Sequence, residues 1–278
     1  RSYNRLLLPT KSHGGTKMDN YFVSSCKRVK DWICRQFGQK EKKTVHHKKF
    51  ADGGEVIVWE TGRAGEEAAS YENLFLRKEI AGFRTNIRRE QSCSIKSLTR
   101  DYLYKQLLSS GEYTFDHMLV IKDPYGEAPL TALALFILEE PACVRVTTKG
   151  NLKETDFVTE LPKKKEHRVP ILGMYAEKAN DIVIEILDDE GNCVKSHTFT
   201  IRTKRLPKSL RNVITVKKWT DKPAYSNIMI NGGVKIHTCV FDIEGKIRYY
   251  LSRKPRGYGI FPLSDGHFFY MEKYISVP

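Results

Sequence analysis

Histidine and cysteine carry much of the catalytic and metal-binding chemistry of proteins, and this chain has eight of the first and six of the second. The histidines form no H-E-x-x-H zinc sequence, and no serine lies in a G-x-S-x-G turn that would make it a nucleophile. The cysteines include no C-x-x-C pair, and none lies at zinc-finger spacing from a histidine. The sequence therefore assigns no catalytic, cofactor-binding or metal-binding residue, and it implies no cofactor.

A group of basic residues near the C-terminal end has the charge to attract an anionic ligand, and the alternative is an exposed basic edge. Its members are Arg248, Arg253, Lys254 and Arg256. His237 and His267 lie on neighbouring predicted strands, where a packed or surface imidazole is the usual alternative to a catalyst. The nearby Gly257-Tyr258-Gly259 lacks the third glycine and the following helix of a dinucleotide fingerprint, which favours an ordinary loop.

Three further features have structural explanations that we favour over chemical ones. The acidic residues at 188–190 precede Gly191 and Asn192, so they indicate a hairpin loop rather than metal ligands. The lysines at 163–165 indicate a solvated turn. The scattered cysteines are typical of reduced thiols, although a pairing of Cys143 with Cys193 stays open because both fall in one predicted domain.

The elements that must position these residues are mostly β-strands. Ile182, Ile184 and Ile186 recur at every second residue, as on one face of a strand. Upstream, further strands are predicted at 118–122, 130–138, 142–148, 155–160 and 167–172. About seven short strands without intervening helices favour a fibronectin- or immunoglobulin-like β-sandwich. We expect its buried residues to include Leu133, Leu135, Ile171, Ile184 and Phe199.

Helices are predicted before this sandwich and a strand meander after it. One helix face is marked by Leu76, Ile80, Phe83 and Ile87. A second helix around 102–108 ends at the Ser-Ser-Gly sequence of 109–111, because glycine accepts the left-handed conformation at a helix C-terminus. Short strands near 236–242, 246–251, 257–261 and 266–271 are typical of one blade of a β-propeller.

The net charge of +14 is concentrated at the N-terminal end, where residues 1–50 contain 13 Lys/Arg and 3 Asp/Glu. This composition indicates a solvated leader, in which the apolar run 56–59 forms at most an isolated strand. The leader lacks the interleaved aromatic residues of a nucleic-acid binder, so no nucleic acid is expected as a partner. No stretch has the length and apolarity of a signal peptide or a membrane span, which favours the cytoplasm over the periplasm.

Several segments between residues 113 and 278 resemble the N-terminal region of the bacterial aryl-sulfate sulfotransferases. They are DPYG at 123–126, APLTAL at 128–133, VPILGMY at 169–175, FDIEGKIRYYL at 241–251, GYGIFPL at 257–263 and DGHFF at 265–269. The resemblance implies a mainly β protein with an α-helical N-terminal arm, in which a fibronectin- or Ig-like β-sandwich precedes the first blade of an incomplete β-propeller. The expected domains are a basic, largely disordered leader (1–67), a helical arm (68–112), the sandwich (113–205), a linker (206–212) and the truncated start of the propeller (213–278).

The resemblance also implies an activity. Family members move a sulfuryl group from a phenolic sulfate ester to a phenol acceptor by a ping-pong mechanism through a sulfated histidine. No position here matches the family's catalytic motifs, so we expect that histidine beyond this chain and the chain alone to be inactive. The donor and acceptor phenols are the expected partners, and homodimerisation stays open. The alternative function is a non-catalytic β-sandwich binding or assembly module, because sandwich folds host many functions.

Overall fold

Runs of apolar residues form the strands of one main sheet, as a computed structural model of the chain shows. The structure describes residues 45–50, 53–71, 88–217, 227–230, 237–252, 260–262 and 268–270, all within the unit Lys43–Pro278. The described strands of the main sheet are β1 (Val45–Lys49), β2 (Glu55–Trp59), β3 (His117–Lys122), β4 (Ala132–Thr148), β5 (Phe157–Ile171), β6 (Ala179–Leu187) and β7 (Cys193–Arg202). The described helices are α1 (Thr61–Ala69) and α2 (Arg88–Ser109).

Strands β4 and β5 form a long hairpin that bends in the middle and so contributes to both layers of a sandwich. Bulges interrupt their pairing between Ile137 and Val144, and a bulge bends the strand that carries it. The first half of β4 pairs with β3 and the second half with β6, while β5 follows β4 along its other side. One layer therefore has the strand order β1-β2-β3-β4-β5, and the other has the order β5-β4-β6-β7.

This bend corrects the predicted strand count. The predicted strands 130–138 and 142–148 are the two halves of β4, and the predicted strands 155–160 and 167–172 fall in the two halves of β5. The lysines at 163–165, predicted to form a turn, lie exposed within β5 instead. A bulge changes the direction of a strand while the ladder hydrogen bonds continue on both sides of it. In the sequence such a bend looks like a loop between two strands, which is why one strand was predicted as two.

A parallel strand from the expected leader completes the first layer. Strand β2 pairs in parallel with β3, so the sheet includes a strand from outside the range 113–205 that we predicted for the sandwich. Residues 45–49 form β1, residues 55–59 form β2 and residues 61–67 form most of α1, all within the expected disordered leader 1–67. The apolar run 56–59 is at most 8% exposed at every position. A strand that is covered on both faces is apolar throughout rather than at alternate residues. The continuous apolar run of β2 therefore indicates a buried strand, which a search for alternating residues does not detect.

Two apolar cores lie on opposite faces of the first layer. Leu133 and Leu135 pack beneath α1 and α2, whereas Ile171, Ile184 and Phe199 lie in the core between the two layers. All five residues are buried, which confirms the prediction for each of them. Alternate residues in the first half of β4 therefore face different cores, and both faces of this half are largely shielded from water.

The helices form the crossover that joins β2 to its parallel neighbour β3. Helix α2 contains the helix predicted around 102–108 and ends at Ser109. Gly111 has the predicted left-handed backbone, with φ of +72°, and its N–H donates to the Leu108 carbonyl at 3.1 Å. The helix face predicted from residues 76–87 lies outside the described residues.

Further strands follow the sandwich. They are β8 (Asn227–Ile230), β9 (Cys239–Asp242), β10 (Ile247–Tyr250), β11 (Ile260–Pro262) and β12 (Phe268–Tyr270). These strands fall in or near the predicted meander. In the described part of the chain, β8, β9 and β10 form one small sheet and β11 and β12 another. A propeller blade has four strands in one sheet, so the blade stays a prediction.

Ile184 provides a direct test of the core between the layers. We expect Ile184→Ala to lower the free energy of unfolding by about 2–5 kcal/mol, because a fully buried aliphatic side chain leaves a cavity when it is truncated. Urea denaturation measures this loss. Val158→Ala is the control, because Val158 is 52% exposed and its truncation should change stability by roughly 0.5 kcal/mol or less. Equal midpoints for the two variants would contradict the burial of β6.

Candidate functional site

A buried polar cluster joins the sandwich to the β9–β10 hairpin. Its centre is Arg248 of β10, whose side chain is fully buried. Arg248 donates from Nε to the Gly173 carbonyl at 2.6 Å and from Nη1 to the Thr155 carbonyl at 2.7 Å. The same Nη1 lies 3.0 Å from Tyr175 Oη and 3.3 Å from Asp242 Oδ2. One side chain of the hairpin thus binds two separate loops of the sandwich.

Asp242 supplies the charge that balances Arg248. Its Oδ1 accepts hydrogen bonds from the backbone N–H groups of Glu244 at 3.0 Å and Lys246 at 2.9 Å. Its Oδ2 accepts the Tyr175 hydroxyl at 2.9 Å. Burial raises the pKa of Tyr175, so its phenol stays protonated and donates. The cluster is closed to solvent and the charges of Arg248 and Asp242 balance each other. This arrangement suits a structural joint rather than a site that contacts substrate.

Gly173 brings the sandwich backbone within reach of Arg248. Its φ of +75° lies in the left-handed region, and a Cβ at this position would lie 2.6 Å from Phe157 Cβ. Glycine is therefore required both by the backbone conformation and by the lack of space. Phe157 is the first residue of β5 and Gly173 lies two residues beyond its last, so their proximity shows that β5 bends far enough to bring its two ends together.

We expect Gly173→Ala to destabilise the protein by on the order of 3 kcal/mol, because left-handed strain and overlap with Phe157 add together. Gly191→Ala is the matched control. Gly191 has φ of +84°, yet no atom lies within 4 Å of an added Cβ, so only about 1–2 kcal/mol of backbone strain is expected. Chemical denaturation compares the variants. Equal losses would show that the approach of Phe157 adds nothing.

The DPYG sequence at 123–126 forms a turn between β3 and β4 that α2 holds in place. The Gly126 N–H donates to the Asp123 carbonyl at 2.9 Å. Arg100 of α2 donates from Nη1 to the Pro124 carbonyl at 2.6 Å, and the Tyr104 hydroxyl donates to the same carbonyl. The turn is therefore attached to the helix layer as well as to its own strands.

Tyr125 extends this attachment to β5. Its hydroxyl donates to Asp101 Oδ1 at 2.6 Å, and Arg168 Nη2 donates to the same oxygen at 2.6 Å. Burial, followed by the hydrogen bond to Asp101, raises the pKa of Tyr125 to about 12, so the phenol remains a donor at neutral pH. Asp101 and Arg168 are partly exposed, and a pair of this kind contributes roughly 0–1 kcal/mol to stability. This cluster supports the fold at a surface junction.

The described buried histidines have structural partners. His167 Nε2 lies 2.8 Å from the Lys164 carbonyl, and burial lowers the pKa of this imidazole. His197 Nε2 lies 2.8 Å from Asp116 Oδ1. His237, which we considered as a strand-surface, packed or catalytic residue, is buried, and its Nδ1 lies 2.8 Å from a main-chain carbonyl just after β10. These imidazoles support packing.

The buried position of Arg248 shows that both interpretations of the basic group near the C-terminal end were wrong for this residue. It lies neither on an exposed edge nor at an anion-attracting mouth, because the register of β9 and β10 shifts between Ile247 and Tyr249 and the side chain points into the cluster. Bulges often re-aim a side chain in this way. The other members of the group, together with His267 and Gly257-Tyr258-Gly259, lie outside the described residues.

The loop between β6 and β7 is the predicted hairpin loop. Asp188 Oδ1 accepts hydrogen bonds from the backbone N–H groups of Glu190 at 3.1 Å and Asn192 at 2.7 Å. These N–H donors, that of Asn192 first, lower the pKa of Asp188. Among the described residues, no three His, Cys, Asp or Glu side chains gather closely enough to hold a metal ion.

Cys143 and Cys193 do not form the disulfide that the sequence left open. Both are free thiols, and Leu187 of β6 lies between them in the sheet register. Two strand spacings separate them by about 9.5 Å, and a disulfide requires Cα atoms within roughly 7 Å.

The described helices include none with the length and apolarity needed to cross a bilayer.

Comparison with known protein families identifies the sandwich. Residues 119–204 match the family model of the arylsulfotransferase Ig-like domain. The matched segment begins within β3 and ends just after β7, and it includes the bent hairpin, Gly173 and Tyr175. A comparison with curated proteins gave no match to the chain. Residues 119–204 are therefore similar to the Ig-like domain of the arylsulfotransferases, which supports the resemblance that the sequence motifs indicated to the N-terminal region of that family.

Proposed function

We propose that this chain is the N-terminal part of an aryl-sulfate sulfotransferase and that its described portion is the scaffold of that enzyme. The observation that carries the proposal is the match of residues 119–204 to the arylsulfotransferase Ig-like domain. The substrates of the whole enzyme are a phenolic sulfate ester and a phenol acceptor. The Ig-like domain itself binds neither of them.

The scaffold acts by orienting the chain that follows it. Arg248 and Asp242 lie beyond the matched segment, yet they bind Gly173, Thr155 and Tyr175 within it. In addition, the Ser252 N–H donates to the carbonyl of Glu127 at 2.7 Å. The β9–β10 hairpin is thus attached to the sandwich at both of its ends, which supports a fixed direction for the residues after it.

The proposed chemistry is a two-step transfer through a histidine. An imidazole nitrogen attacks the sulfur of the donor, the bond between sulfur and the phenolic oxygen breaks, and the phenolate leaves. The acceptor phenol then attacks the same sulfur, loses its proton and releases the histidine. Such a step needs a nucleophile and fixed cations held in a closed pocket. The partnered histidines of the sandwich do not suit that role, so we place the transfer histidine beyond this chain.

The test compares the product of the complete reading frame with the 278-residue chain, using 4-nitrophenyl sulfate as donor and phenol as acceptor. We expect release of nitrophenolate that depends on phenol from the complete protein and none from the chain alone. A complete protein that folds but shows no transfer would refute the enzyme and support the binding or assembly module. Turnover by the chain alone would instead refute the location of the histidine, and His237 and His267 would be the first residues to mutate.

A further inference from the structure

An acidic groove opens at the end of the sandwich opposite to the Arg248 cluster. It has a volume of about 910 Å³ and lies between the bend of β4 and the loop that joins β6 to β7. The Arg248 cluster contacts the sandwich near the start of β6, whereas the groove lies at the end of that strand. Eight residue steps of about 3.3 Å separate the two ends by about 26 Å. The groove is therefore distinct from the joint to the downstream chain.

The floor of the groove is apolar. Phe115, Leu138 and Leu187 are the buried residues of this floor. Val194, which is 68% exposed, and Pro141, which is also exposed, are its open ones. A large aliphatic side chain that is open to water beside other apolar groups is a feature of binding surfaces when polar residues surround it. The floor therefore offers places for apolar side chains of a partner.

The rim of the groove is acidic, although the chain as a whole has a net charge of +14. Its carboxylates are Asp116, Glu139, Glu140, Asp188, Asp189 and Glu190. The rim has two lysines, and both are paired: Lys163 Nζ lies 2.5 Å from Asp189 Oδ1, and Lys195 Nζ lies 2.5 Å from Asp116 Oδ1. The remaining carboxylates give the rim a negative charge that these lysines do not cancel.

Glu139 and Glu140 are the rim residues best placed to meet a cation. They lie at the bend of β4, in the gap between the pairs formed by Ile137 and Ala142, and both are exposed. In the described part of the chain, neither side chain forms an ion pair. Both residues line the groove together with its apolar floor, so a ligand with both positive charge and apolar groups is complementary to this site.

We propose that this groove binds a basic peptide segment of a partner protein, with its apolar side chains on the floor and its lysine or arginine side chains at Glu139 and Glu140. The charge of the rim disfavours anionic ligands such as nucleic acid. A simple inorganic cation has no apolar groups that could contact the floor. This proposal does not depend on the proposed sulfotransferase activity, because the groove lies away from the joint to the downstream chain.

The test uses three fluorescein-labelled peptides of equal length and the full chain. The first peptide has lysines on one helical face and leucines on the other, the second has serine in place of leucine, and the third has glutamate in place of lysine. Fluorescence anisotropy at physiological ionic strength measures binding. We expect the lysine–leucine peptide to bind and the other two to bind at least roughly tenfold more weakly. Equal binding of the lysine–serine peptide would overturn the proposal, since it would indicate attraction by charge alone.

Matched charge reversals locate the site. We expect the double variant E139K/E140K to weaken binding of the lysine–leucine peptide by roughly tenfold or more. The control E154K/E177K changes the net charge equally but at exposed positions near the opposite end of the sandwich, and it should have an effect of about twofold or less. The single variant Val194→Lys, at a position that is 68% exposed, should also weaken binding. Equal effects of the two double variants, or no effect of E139K/E140K and Val194→Lys, would refute the site.

Discussion

A chain that begins at residue 68 is expected to show no cooperative unfolding transition, whereas a chain that begins at residue 44 is expected to show one. The difference between them is β1, β2 and most of α1. Strand β2 pairs with β3 in the first layer, and its residues 56–59 are at most 8% exposed. Burial of each such side chain contributes about 1.5–3 kcal/mol, so their joint loss is comparable to the whole stability of a domain, about 5–15 kcal/mol.

Circular dichroism during thermal unfolding measures this difference, and both truncated chains carry the same residues from 68 onward. Trp59→Ala in the longer chain gives an intermediate case, because it removes one buried side chain and leaves the strand in place. We expect it to cost about 3–5 kcal/mol. A cooperative transition of the shorter chain at an unchanged temperature would refute the assignment of β2 to the first layer.

Asp242→Ala is expected to lower the free energy of unfolding by about 3–5 kcal/mol, because it leaves the fully buried guanidinium of Arg248 without a counter-charge. The same change frees the backbone donors of Glu244 and Lys246 and the Tyr175 hydroxyl. Urea denaturation at neutral pH measures the loss. Asp181→Ala is the control, since Asp181 is exposed on β6, and its removal should change stability by roughly 0.5 kcal/mol or less.

A second substitution separates the cost of an unpaired charge from the value of the pair. We expect Asp242→Ala combined with Arg248→Met to be more stable than Asp242→Ala alone, because the uncompensated charge is gone. Among the described residues, Arg248 Nη2 has no hydrogen-bond partner, which further favours an apolar replacement. If the double variant instead loses the sum of the two single losses, the two side chains act independently and the buried pair is not the basis of the joint.

Local patterns in the sequence predicted the parts of the fold that depend on residues close together along the chain. The alternating isoleucines predicted β6, the glycine at 111 predicted the end of α2, and the acidic run at 188–190 predicted a hairpin loop. Each prediction needed only the conformational preferences of a few neighbouring residues. The motifs at 123–126 and 169–175 likewise indicated the resemblance to the arylsulfotransferases, to whose Ig-like domain residues 119–204 are similar, because a motif is itself a local pattern.

The tertiary structure alone decided which segments meet. The parallel pairing of β2 with β3 joins residues about sixty positions apart, and nothing in the alternation of either strand specifies its neighbour. The bend of β4 and β5 depends on bulges, which a sequence pattern does not separate from loops. Arg248 was expected at a basic surface because of the charges around it in the sequence. A shift of register in β10 and the nearby carbonyls of Gly173 and Thr155 place it in the interior, where its charge is balanced by Asp242.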